Sequence, residues 1–131
     1  MDLLQLESIV TTQLRVRVPK LLDNRFPSIK FTNEKSDEPS TFPCVYVHEL
    51  EPSEVGNTIP NQEIHALRDT IQIIVSTNTN KADASTIMNA CINAMKVLRY
   101  SLVMGKIYDK TNNIHSYVIR MRRVVASGDE F

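Results

Sequence analysis

Four arginines are the residues of this chain best equipped to act on a partner. Arg120, Arg122 and Arg123 crowd into one short stretch, and Arg68 lies in a second alternating segment. A guanidinium is a permanently charged planar fork that meets carboxylates or phosphates through paired N–H donors. Residues two apart on a strand share a face. Arg120 and Arg122 therefore point one way, as do Arg68 and Gln72 on their own strand. The spacing predicts a basic sheet face that meets acid, either from a neighbouring subunit or from nucleic-acid phosphate. The competing reading is a solvated face on which arginine stems cover apolar surface. Ile74 and Val118 fall on the same face and favour an interface.

The other reactive residue types are scattered. His48, His65 and His115 are not spaced i, i+4 with one another, and His48 and Glu49 would point to opposite sides of a strand. No metal site is expected from such a set. Gly56, Gly105 and Gly128 are too dispersed for a phosphate-cradling loop, and no Gly-x-Ser-x-Gly elbow occurs. Asp69, Asp109 and Asp129 belong to separate segments and read as turn and strand-end residues, whereas a nuclease needs acids converging on a cation. Cys44 and Cys91 form no Cys-x-x-Cys pair and read as small apolar residues of a reduced protein. The expectation is a protein without catalytic, cofactor or metal residues that works through its surfaces.

A chain of 131 residues suits one domain, and 42% hydrophobic with 23% charged residues is ordinary for a soluble one. There is no long apolar run to span a membrane, and Met-Asp-Leu-Leu-Gln at the start does not resemble a secretory signal. Net charge is zero but blocked. Residues 1–32 carry five Lys/Arg against three Asp/Glu, or +2. Residues 33–63 carry one against seven, or −6, and residues 64–131 carry nine against five, or +4. General DNA-binding proteins are usually basic throughout. Opposed blocks suit copies that meet one another with opposite signs.

The elements that must position these residues are legible from periodicity. Asp2 and Gln5 make a capping-box pattern for a first helix, with Leu3, Leu6, Ile9 or Val10, and Leu14 on its apolar stripe. That helix is expected to end before Pro19. Residues 28–32 and 43–50 read as strands, with Val45 and Val47 on one face and Cys44, Tyr46 and His48 on the other. Residues 33–41 and 51–63 read as extended loops. Glu51, Glu54, Val55 and Ile59 in the second loop are candidates for contact with a neighbour.

Residues 67–76 alternate cleanly, with Asp69, Ile71, Ile73 and Val75 inward. Asn80 caps a helix predicted over residues 81–104, with Asp83 in its first turn. Its buried stripe is Ala84, Ile87, Met88, Cys91, Met95, Leu98 and Leu102. Tyr100 falls on the outer stripe, and Gly105 is the expected terminator. Residues 106–109 and 114–125 make a closing hairpin around residues 109–113. The sum is an α+β domain: one mostly antiparallel sheet with two helices on one face.

The strings F-P-C-V-Y-V-H-E-L (42–50), E-V-G-N (54–57), T-I-Q-I-I-V-S-T-N (70–78), K-A-D-A-S-T-I-M-N (81–89) and Y-V-I-R-M-R-R (117–123), in that order, resemble the tail terminator or tail-completion proteins of long-tailed bacteriophages. The resemblance spans roughly residues 40–127, and residues 1–39 match only by element type. It implies a virion protein assembled in the host cytoplasm as a hexameric ring on the last ring of the tail tube. Such a ring ends tube growth and offers a docking surface to the head-completion or neck protein, and DNA passes through its lumen without specific recognition. The family has no shared catalytic residues. Arg68, Gln72, Arg120, Arg122 and Arg123, with Glu51, Glu54, Val55 and Ile59, are then the expected contacts with ring neighbours or with the tube protein. Another neck component, an adaptor or head-completion protein, has similar features. A small DNA-binding protein or nuclease is the alternative from a different class.

Overall fold

The computed structural model describes residues 6–23, 26, 29–33, 42–50, 53–54 and 66–126. In order these form α1 (Leu6–Leu21), β1 (Lys30–Thr32), β2 (Cys44–Glu49), β3 (Ser53–Glu54), β4 (Ala66–Thr77), α2 (Lys81–Val97), β5 (Ser101–Thr111) and β6 (Ile114–Ala126). The strands make one sheet in the order β1-β2-β4-β6-β5, with the short β3 also paired to β4. Among these strands, β1 pairs with β2 in parallel and every other pairing is antiparallel. The architecture is the α+β one that the periodicity predicts.

Alternation builds the core. Ile71, Ile73 and Val75 of β4, Val45 and Val47 of β2, and Ile119 and Met121 of β6 are fully buried on one face. Against them lie Val10, Leu14 and Val18 of α1 and Ala84, Ile87, Met88, Cys91 and Met95 of α2 in a single cluster. Burying a side chain of this size contributes about 1.5–3 kcal/mol. The N-terminus of α2 forms as the sequence predicts: Asn80 Oδ1 accepts from the Asp83 amide at 2.7 Å, and Asp83 Oδ2 accepts from Thr79 Oγ1 at 2.6 Å.

Helix ends depart from expectation. α1 runs through Pro19 to Leu21. Proline removes one backbone donor there, but Val18 and Leu22 are buried on either side of it, and the Leu22 amide still bonds Val18 O at 3.1 Å. Core packing of those two residues outweighs the local preference. Asp23, at φ 51°, then turns the chain. The Asp2 and Gln5 cap lies outside the described residues.

α2 stops at Val97, well before Gly105. Arg99 takes the left-handed position at φ 69°. Its amide bonds Lys96 O and the Tyr100 amide bonds Met95 O, both at 3.0 Å, which is the Schellman arrangement with arginine in the place usually held by glycine. Two stripe assignments therefore invert: Tyr100 is buried and Leu102 exposed. The strand that follows begins at Ser101, and Gly105 lies inside it. The turn of the β5–β6 hairpin is Asn112-Asn113, at φ 51° and 65°, as a two-residue hairpin turn with positive φ at both positions requires. Because a non-glycine residue in this conformation costs about 1–2 kcal/mol, Arg99→Gly, at an exposed side chain, is expected to raise stability by about 1 kcal/mol in urea denaturation.

Candidate interaction surface

Pairing registers arrange the helix-free face of the sheet in rows across the strands. Cys44, Ser76, Ser116 and Asp109 form one row, with Ser76 Oγ and Ser116 Oγ 3.1 Å apart. Tyr46, Ile74, Val118 and Ile107 form the next, an apolar band over four strands. Then come His48, Gln72 and Arg120, and beyond them Thr70 with Arg122, and Arg68 with Val124. Beyond the first, largely polar row the face therefore passes from apolar to basic along the strands. Arg68, Arg120, Arg122 and Val124 are exposed.

This is the grouping expected for Arg68, Gln72, Arg120 and Arg122. Arg120 Nε donates to Gln72 Oε1 at 3.0 Å, which orients the guanidinium on the face. The arrangement can present several N–H donors to carboxylates or phosphates beside a strip of apolar surface. Tyr46 and His48 stack at 5.8 Å between ring centroids on the same side. Among the described residues no group of three potential metal ligands comes together, and no helix is long and apolar enough to cross a membrane.

Arg123 does not belong to that surface. It sits in phase with Ile119 and Met121, buried on the helix side, and its Nη1 donates to Leu98 O at 2.9 Å. Directly across from it in register is Asp69. Asp69 is fully buried in the body of β4, not at a turn or strand end as its residue type suggests. Tyr100 OH donates to Asp69 Oδ2 at 2.5 Å. Tyr100 thus ties the end of α2 to Asp69 of β4, and Arg123 ties it to β6, all three side chains being buried. Of the loop candidates, Glu54 lies in β3, opposite Leu67 of β4, whereas Glu51, Val55 and Ile59 lie outside the described residues.

Burial sets the protonation of two core groups. It pushes the Tyr100 hydroxyl above the ordinary 10.0, helped by the charge of Asp69 and their hydrogen bond and opposed by Arg123. Burial alone pushes the Cys91 thiol from 9.0 up to about 12. Both groups stay protonated in the fold at pH values where the unfolded chain has released the proton. Their stabilising contribution is complete below about pH 9 and is lost as pH rises from there towards 12. Urea midpoints are expected to fall across that range. In Cys91→Ala the fall is expected to be shallower by as much as about 4 kcal/mol near pH 12.

No protein-family model matches the chain, and no curated protein matches it in sequence.

Proposed function

We propose that this protein is a structural subunit that assembles with copies of itself into a closed ring, and that the ring caps the head-proximal end of a bacteriophage tail tube. The observation that carries the first part is the charge polarity of the sequence. In sequence, residues 1–63 carry a net −4 and residues 64–131 a net +4. The positive half supplies β4, α2, β5 and β6, with Arg68, Arg120 and Arg122 exposed on the helix-free face. Opposed charge in the two halves of one chain favours contact between copies, which closes into a ring when it runs head to tail and the rotation per subunit allows.

The second part rests on the resemblance of the ordered strings between residues 42 and 123 to those of tail terminators, and on the α+β architecture that the resemblance implies. In this role Arg68, Arg120 and Arg122 meet acid of the next subunit, and the protein performs no bond-making chemistry. The alternative within the same class is another neck component.

The test is functional. Purified protein added to polymerising tail-tube protein is expected to bind one end of each tube and stop growth. Tubes that lengthen normally and carry no protein at either end would overturn the capping role.

A further inference from the structure

Two sides of the sheet are defended unequally. Among the described strands β5 is terminal at one side, and almost all of its residues are exposed on both faces. Terminal strands in natural proteins are usually guarded by charge, proline or brevity, because their free backbone groups template further pairing. The second half of β5 has such guards in Lys106, Asp109 and Lys110. The first half, Ser-Leu-Val-Met-Gly over residues 101–105, has no charge at all. Leu102 is 45% exposed and Val103 49%.

The ladder between β5 and β6 is also irregular there, with register shifts between Leu102 and Met104 and between Met104 and Ile107. Val103, Gly105 and Lys106 have no register partner on β6. Beside this edge stand Arg120 and Arg122, which pair with Met104 and Ser101, and the exposed Val124. An apolar, uncharged strand edge flanked by two guanidinium groups fits an extended segment that brings apolar side chains and carboxylates together.

We infer that residues 101–105 of β5 are a strand-addition site, and that its occupant is the acidic half of a second copy of this chain. Main-chain hydrogen bonds to the free edge supply affinity in this mode, and side-chain pockets supply selectivity. Charge selects the occupant: the chain's own residues 33–63 hold seven acids against one lysine. The inference rests on the assembly reading above and names its contact.

Leu102→Lys/Val103→Lys tests it in the full-length protein, read by light scattering across concentrations and by hydrogen exchange of the β5 amides. Both positions are exposed, so the thermal unfolding of the variant is expected to match the parent. Assembly is expected to weaken roughly tenfold for each lost apolar anchor, or about a hundredfold together. In the parent, β5 amides are expected to become protected as concentration rises, and in the variant to stay fast. A conservative Val103→Thr variant is expected to assemble. If the lysine variant assembles as the parent does while Arg120→Glu/Arg122→Glu does not, strand addition is wrong and the assembly reading stands. A parent that stays monomeric throughout overturns both.

Discussion

Arg123→Leu is expected to cost about 3–5 kcal/mol of folding stability, although the residue stands in an arginine-rich run that reads as surface. The change removes a buried cation set across the strand register from the fully buried Asp69, whose Oδ1 has no hydrogen-bond partner among the described residues. A charge left buried without its compensation is worth about that much. It also removes the donor to Leu98 O at the end of α2. Against a typical total of about 5–15 kcal/mol, the loss is about a fifth or more of the stability. Tyr100→Phe, which removes only the hydroxyl held by Asp69 Oδ2, is expected to cost about 1–3 kcal/mol.

Two comparisons make the result specific to the buried group. Arg122→Leu, one residue away but exposed, is expected to change stability by no more than about 0.5 kcal/mol. Asp69→Leu combined with Arg123→Leu is expected to recover part of the loss, because the acid and the cation leave together. Urea denaturation of the four variants measures all of this. Equal effects of Arg122→Leu and Arg123→Leu would contradict the assignment of Arg123 to the core.

Arg120→Glu/Arg122→Glu is expected to have the opposite profile, with folding nearly unchanged and assembly abolished. Both side chains are exposed on the helix-free face, and the hydrogen bond that Arg120 donates to Gln72 is itself exposed, so breaking it costs the fold little. In an assembly where this face meets the acidic half of a neighbour, the reversal replaces two attractions with two repulsions. Like charges brought together across an interface cost several kcal/mol. Light scattering is expected to find monomer at concentrations where the parent is assembled, with an unchanged urea midpoint. Assembly identical to the parent would remove the basic face from the interface.

How far the sequence discloses this molecule depends on which residues are asked. The alternation over residues 67–76 identifies β4 and its inward face, because the period of two leaves no freedom once one side is apolar. Asn80 and Asp83 identify the start of α2 because a cap is a local event. The same strand logic places Arg68, Gln72, Arg120 and Arg122 on one face. Applied one residue further, it sends Arg123 inward with Met121, so the signal for its burial is present but hidden by the cluster of like residues.

The end of α2 is not legible in the same way. Leu98 and Leu102 keep helical spacing past the true end, and the left-handed residue is arginine, where glycine is the usual signal. Pro19 misleads for the reverse reason: a local stop signal is present, and the burial of Val18 and Leu22 overrides it. The polar group of Asp69, Tyr100 and Arg123 joins residues distant in sequence, and only the tertiary fold brings Tyr100 to Asp69.

The central claim is that the molecule acts through contact with copies of itself, arranged head to tail by opposed charge. The most direct measurement is the solution mass of the unmodified protein over a range of concentrations and salt. The account predicts a closed oligomer larger than a dimer that dissociates towards monomer as salt screens the contacts. A monomer at every concentration, or a dimer indifferent to salt, would contradict it.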